Sequence, residues 1–358
     1  MQEAAALRAI DADAHIDETE QTWDYLEDCD RQFKPISFDL TEGEPIGPND
    51  GRRHRVWLIS GNARLRRFRN DQATGTTRET RELLDVDARL RHMDKLGIEV
   101  QALYPTTFLH SVTERPEVEL ALCKAYNRWL ANRTASSGGR LRWVAQAPVL
   151  SMDKVADEVR FAKDHGACGV MKKGVECGHR AAGDPYFYPL YEIANEVDLP
   201  ICVHQGSGDA EISNTSNQAN MSVFNVLSAF SSLAASHVPD HFPKLRFGFI
   251  EAGASWIPYL IKDLGIRGKA LRAPFDFKTA FLAHNRFYVT CDTEDDIAYL
   301  LQFGGEDYLM LGTDYSHVDQ SAELKAHQVL IEQAQQGRFS PAVATKIISD
   351  NARRFYGL

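Results

Sequence analysis

RAIDADAH, residues 8–15, carries an alternating run, Asp11-Ala12-Asp13-Ala14-His15, within a few residues of the start. A strand points successive side chains to opposite sides, so this spelling predicts that Asp11, Asp13 and His15 share one face. Two carboxylates and an imidazole on one face of a strand ask for a partner, and a cation is the simplest one, with Asp13 and His15 read as its ligands and Asp11, one step earlier, as structural.

Seven further short apolar stretches come after it. They are IEVQALYP (98–105), LRWVAQAP (141–148), ACGVMKK (167–173), DLPICVH (198–204), LRFGFIE (245–251), RFYVTC (286–291) and YLMLGTD (308–314). Segments with helical periodicity separate them, among them 81–97, 152–166, 188–197 and 256–272. Strand–helix alternation implies parallel pairing, and eight such units fit an α/β protein of the (β/α)8 TIM-barrel class. The rival, a doubly wound open sheet, normally shows a glycine-rich turn after an early strand. Neither GxGxxG nor GxxxxGK[ST] occurs, which weighs against a nucleotide fold.

Composition narrows the class. The chain of 358 residues is 44% hydrophobic, enough for a large core, and its net charge of −10 disfavours nucleic acid or an anionic membrane as partner. No run approaches the apolar length of a membrane span, and the first residues lack the pattern of a secretory signal. Six cysteines without a CxxC pair suggest reduced thiols and a cytoplasmic setting. No GxSxG elbow is present. One domain over 1–358 is expected, with 17–84 inserted between strand 1 and its helix. Leaving from the C-terminal rim, that insertion would cap the pocket. It contains GEPIGPNDG (43–51) and the arginine-rich 52–70, suited to an anionic substrate or a second subunit, or simply a solvated loop.

The proposed strands end on His15, Tyr104, Gln146, Lys172 or Lys173, His204, Glu251, Asp292 and Asp314. Barrel enzymes gather their chemistry at these C-terminal ends. Asp13, His15, His204 and Asp314 supply mixed nitrogen and oxygen donors suited to one divalent ion, zinc or manganese. The competing view makes the two histidines hydrogen-bonded core residues and pairs the acids with Lys172, Lys173 or arginines. Tyr104 is a candidate to line the pocket. His317, three residues after Asp314, would touch substrate or orient that acid.

In the order of its motifs the chain resembles the amidohydrolase superfamily, in its branch of aminocarboxymuconate-semialdehyde decarboxylase-like proteins. The matching stretches are IDADAHIDE (10–18), ARLRHMDKLGIEVQALYPT (88–106), YNRWLANR (126–133), LPICVHQGSG (199–208), FPKLRFGFIEAGASWIPYLI (242–261), LMLGTDYSHVD (309–319) and DNARRFYGL (350–358). The resemblance implies a metal-dependent barrel performing nonoxidative decarboxylation or, less often, hydrolysis or hydration. It carries the metal ligands onto Asp13, His15, His204 and Asp314, and a basic substrate contact onto Lys173 or Lys172. Position 13 is His or Glu in characterised members; here it is Asp. Where many members have a histidine after strand 6, this chain has Glu251, a departure that leaves a proton shuttle or an orienting role open.

The chemistry expected from that resemblance is loss of CO₂ from a hydroxylated aromatic or unsaturated carboxylic acid, with Asp314 delivering the proton. The alternative is a hydrolase in which Asp314 takes a proton from metal-bound water; a metal-free binding protein or scaffold is a remoter one. A small-molecule acid is the expected partner, and a homodimer or higher homo-oligomer the expected assembly. The C-terminal SPAVATKIISDNARRFYGL (340–358) reads as an ordinary amphipathic helix closing the barrel.

Overall fold

In the computed structural model the described residues are 7–40, 54–66, 70–206, 222–269, 275–318 and 321–358. All eight expected stretches form strands: β1 (Ala9–His15), β2 (Ile98–Tyr104), β3 (Leu141–Gln146), β4 (Ala167–Lys172), β5 (Ile201–His204), β6 (Phe247–Ile250), β7 (Phe287–Cys291) and β8 (Leu309–Leu311). They stand side by side in chain order, each parallel to its neighbour. A parallel bridge from Ala14 to Tyr315 joins the exit of β8 to β1. There His15 N donates to Tyr315 O at 2.9 Å, and Asp314 N to Asp13 O at 2.9 Å. The fold is a (β/α)8 barrel.

Its helices include α1 (Val86–Leu96), α2 (Pro116–Thr134), α3 (Val155–Asp164), α4 (Tyr188–Glu196), α5 (Val223–Ala235) and α6 (Ile257–Lys269). After β7 and β8 come α7 (Ile297–Leu300) and α8 (Ala326–Gln335). Local chemistry sets their ends. The Asp85 side chain accepts from Ala88 N at the start of α1, and Gly97 in the left-handed region stops it. Pro116 opens α2, where its missing N–H costs nothing. No helix among the described residues is long and apolar enough to cross a membrane.

Two apolar layers result from the strand alternation. Ala9, Ile98, Leu103, Trp143 and Val170 face the helices, whereas Ile10, Ala12, Val100, Val144, Cys168 and Met310 fill the barrel interior. The interior is completed from the C-terminal segment by Phe355 and Tyr356. That segment is not one continuous α-helix. Pro341–Thr345 is α-helical, Lys346–Asp350 is a π-helical turn and Asn351–Tyr356 resumes the α-helix. An inserted residue rotates the downstream side chains by about 100° around the helix axis. Past the turn, Asn351 Nδ2 donates to Leu309 O at 2.7 Å and the two aromatics enter the interior. Tyr356 Oη donates to Ala12 O at 2.6 Å. Gly248 leaves room for Phe355, whose ring occupies the space a Cβ would take.

Between β1 and α1 lies a three-stranded antiparallel sheet of Ile36–Leu40, His54–Ile59 and Asn62–Arg66. Ser60 and Gly61, both at positive φ, make the tight turn between its last two strands. Trp57 packs edge-on against Trp23, which meets Phe108 beyond β2. In the arginine-rich run, the Arg64 side chain donates to Ser111 O at 2.8 Å. The stretch 43–51 lies outside the described residues.

Candidate metal centre

The ends of β1, β5, β6 and β8 converge on one buried cluster. His15 Nε2 lies 3.1 Å from His204 Nε2. Asp13 Oδ1 is 3.3 Å from His204 Nε2 and 3.5 Å from His15 Nε2. Glu251 Oε2 stands 3.3 Å from His204 Nε2 and 3.9 Å from His15 Nε2. Ligand atoms of these four residues all fall within 4.8 Å of one another. Asp314 Oδ1 is 3.6 Å from His15 Nε2 and 2.7 Å from His317 Nδ1. Asp314 and His317 form a second mutually close group with His15 and Glu251.

The outer bonds of the imidazoles decide what they offer inward. His15 Nδ1 meets Pro105 O at 2.9 Å and His204 Nδ1 meets Gln205 O at 2.7 Å. A carbonyl only accepts, so each Nδ1 carries the proton and each Nε2 turns a lone pair toward the other. Two facing lone pairs among three carboxylates repel unless a positive charge lies between them. This donor set fits a divalent cation with nitrogen and oxygen preferences. Backbone conformation delivers two of the acids: Glu251 (φ 57°) and Asp314 (φ 49°) occupy the left-handed region, uncommon for residues with a Cβ. Asp295 holds the turn beyond Glu251, its Oδ2 accepting from Ala254 N and Asp292 N.

Strand β1 does not keep a regular ladder. Its register against β2 shifts between Asp11 and Ala14, which breaks the alternation. Asp11 therefore leaves the face of Asp13 and His15, correcting the sequence-based expectation. Its carboxylate accepts from Gln101 Nε2 (2.8 Å), Thr313 N (2.9 Å) and Thr313 Oγ1 (2.6 Å). Burial pushes its carboxyl up to about 6. Gln101 Oε1 accepts from Arg89 Nε of α1 at 2.7 Å, so Asp11 belongs to the helix-facing side.

Three expected substrate contacts have other company. Lys172 Nζ donates to Glu176 Oε1 at 2.8 Å and sits 3.5 Å from the Phe187 ring centroid. Its direction follows from β4, where Val170 faces the helices and Met171 the interior. Lys173 Nζ lies 3.7 Å from the other oxygen of Glu176. The Tyr104 ring packs beside His204 at 4.9 Å, while its hydroxyl meets the Tyr356 hydroxyl at 2.7 Å. Tyr104 thus supports the His204 ring from within the barrel and turns its polar end away from the rim. His317 stacks on His15 at 3.9 Å between centroids.

Four residues at the centre escaped sequence reasoning. Ser321 Oγ reaches Asp314 Oδ2 (3.3 Å) and Glu251 Oε1 (3.4 Å). Arg89, fully buried, donates to His15 O and lies over the Tyr315 ring at 3.5 Å. Thr313 fastens Asp11. Glu18 accepts from Thr106 N, Thr107 N and Thr107 Oγ1, tying the exit of β1 to that of β2. Only Glu18, inside IDADAHIDE, and Arg89, at the head of a helical repeat, had any local signal.

A family model described as amidohydrolase matches residues 10–358. The chain belongs to the amidohydrolase family. Among solved structures this amidohydrolase is similar to another, from Mycobacterium avium subsp. paratuberculosis K-10, at 19% identity and TM-score 0.77, covering 99% of both chains. It is similar also to 5-carboxyvanillate decarboxylase from Novosphingobium aromaticivorans DSM 12444, complexed with manganese and 4-hydroxy-3-methoxy-5-nitrobenzoic acid. Identity there is 17% and TM-score 0.66, over 99% of this chain and 97% of that one. A dihydroxybenzoic acid decarboxylase from Polaromonas sp. JS666, with bound manganese and 2-nitroresorcinol, matches at 16% identity and TM-score 0.62, over 98% and 97%. These likenesses establish the barrel; the donor set of this amidohydrolase suits a divalent metal on its own chemistry.

Proposed function

We propose that this amidohydrolase removes CO₂ from a hydroxylated aromatic or unsaturated carboxylic acid, using one divalent ion, manganese by preference. The observation that carries the proposal is the meeting of Asp13, His15, His204 and Glu251 at the rim with Asp314 beside them. A divalent cation held there would polarise a hydroxyl or carbonyl oxygen next to the scissile carboxylate. Asp314 is the proton donor to the carbon that loses CO₂. His317, at 2.7 Å, fixes the orientation of that acid, and Ser321 holds its second oxygen. Lys173 is the better placed of the two lysines to meet the substrate anion, since the Lys172 side chain is wholly buried against Glu176. The antiparallel sheet within 17–84 acts as a lid over the rim, anchored by Trp57 and Arg64. The proposal includes a reducing cytoplasmic setting, which suits six free cysteines, and a homo-oligomer.

The test is a manganese-loaded screen of hydroxybenzoates and related acids in ¹⁸O-water. CO₂ release without ¹⁸O in the organic product is expected; ¹⁸O in an acid product would replace the decarboxylase with a hydrolase. Asp314→Asn should still bind metal and lose about 10²-fold or more in turnover, the scale of general acid catalysis. Full turnover in that variant removes Asp314 from the proton-donor role. His204→Ala should lose its metal, and stoichiometric retention would displace His204 from the ligands.

A further inference from the structure

We infer that Tyr315 is a positioning residue for Asp314: clamped outside the strands, it holds the turn that presents the acid to the substrate. The inference rests on the proton-donor reading above and extends it to a residue that touches no reacting atom.

The turn after β8 runs against ordinary backbone preference. Asp314 (φ 49°) and Ser316 (φ 89°) both lie at positive φ, and residues with a Cβ stay there only where their surroundings over-determine them. Tyr315 stands between the two and is fully buried. Its carbonyl accepts from His15 N at 2.9 Å, and its ring packs in the layer between strands and helices. The Arg89 guanidinium covers that ring at 3.5 Å, its own groups held by Gln101 Oε1 (2.7 Å) and Thr80 O (3.1 Å).

The hydroxyl belongs to a chain whose direction is set. Thr80 Oγ1 donates to Thr77 O at 2.8 Å, so it accepts from Tyr315 Oη at 3.0 Å. That commits the one hydroxyl proton of Tyr315, and His92 Nδ1 of α1 therefore donates to the same oxygen at 2.7 Å. Thr80 is part of the insertion, in the helical turn Arg78–Arg81. Two side chains of α1 and one of the insertion thus fix Tyr315 from outside the barrel, while Asp314 projects from the same turn to the rim. A ring that shifts takes the adjoining carboxylate with it. Asp13, His204 and Glu251 come from β1, β5 and the turn after β6, so their meeting does not depend on this side chain.

The experiment compares Tyr315→Phe with the parent on the hydroxybenzoate that the manganese-loaded screen selects. Turnover should fall about tenfold, a part of the roughly 10²-fold that a 1 Å misplacement costs, with KM and Mn²⁺ stoichiometry unchanged. Combined with Asp314→Asn, Tyr315→Phe should change turnover by less than about twofold, because a residue acting through Asp314 has nothing left to position. Equal losses in both backgrounds overturn the inference, as does full turnover in Tyr315→Phe; both results leave the proposed function standing. A crystal structure of Mn²⁺-loaded Tyr315→Leu gives a readout independent of turnover. Asp314 should leave positive φ there and its carboxylate should move by about 1 Å; an unmoved Asp314 overturns the inference. Should Tyr315→Leu fold poorly, the Tyr315→Phe kinetics decide. If the parent turns over none of these acids, the proposed function falls and the Tyr315→Leu coordinates decide the inference alone.

Discussion

Gly312, between the last residue of β8 and the loop bearing Asp314, is where barrel packing and metal binding meet. A Cβ at this position would fall 2.5 Å from Asp13 Cβ and 3.5 Å from its Cα. Ordinary contact begins at 3.4 Å, so Gly312→Ala must push β1 and β8 apart locally by about 0.9 Å. Asp13 cannot swing aside, because the clash is with the root of its side chain and its carbonyl accepts from Thr313 N and Asp314 N. Metal ligands hold their distances to about 0.2 Å. The substitution should therefore raise the Mn²⁺ dissociation constant by at least about tenfold, 1.4 kcal/mol. It should also lower stability by about 1–3 kcal/mol, as overpacking does. Gly248→Ala is the matched control: it crowds the Phe355 ring at the other end of the barrel. Neither glycine lies in the left-handed region, so alanine meets only the question of space. Calorimetric Mn²⁺ titration and thermal melting of both variants separate the effects. Gly248→Ala should melt lower with metal affinity unchanged. If Gly312→Ala melts lower yet binds Mn²⁺ as tightly as the parent, Asp13 is not a ligand and the centre has been wrongly assembled.

Glu18 should make stability fall as pH rises, because burial lifts its carboxyl from 4.5 to about 7. Between those values the unfolded chain ionises while the folded one stays protonated, which costs about 3 kcal/mol by pH 7. The stability difference between parent and Glu18→Gln, followed by urea unfolding, should shrink across that interval; a flat difference sinks the assignment. Tyr356→Phe strips the bonds to Ala12 O and to the Tyr104 hydroxyl, for a loss of about 1–3 kcal/mol with metal stoichiometry intact. A melting temperature equal to the parent's would show that the network contributes nothing. Glu176→Gln leaves the Lys172 ammonium buried without its carboxylate and should cost about 3–5 kcal/mol, whereas Lys172→Met with Glu176→Gln should cost less. A double variant weaker than Glu176→Gln in chemical denaturation contradicts that pairing.

Most of the fold was legible because parallel strands buried on both sides spell largely apolar runs, and such runs stop abruptly at His204 and Asp314, while the alternating first strand ends on His15. The same stops drew attention to the residues that meet at the rim. Direction was harder to read. One register shift in β1 moved Asp11 to the helix side, and the facing of β4 took Lys172 away from the rim. Both are set by hydrogen-bond pairing with neighbouring strands, which the local spelling of a segment does not record. Tyr104 is inward-facing as expected, yet its hydroxyl is committed to a residue 252 positions away. Glu251 stood out as a departure from relatives, but its proximity to both groups of donor side chains depends on a left-handed backbone at one turn. Ser321 gave no signal, since an isolated serine in a loop is ordinary.

The aromatic pair Phe355–Tyr356 bears on the order of assembly. Its side chains complete an interior otherwise filled from strands made earlier on the ribosome, so nascent β1 to β8 would emerge with that part of the interior still open. Until that final turn is threaded in, Ala12 O and the Tyr104 hydroxyl would be hydrated where they later bond to Tyr356. Completion of this barrel is then a late, long-range event, and slow closure with a wetted intermediate is the behaviour such connectivity favours.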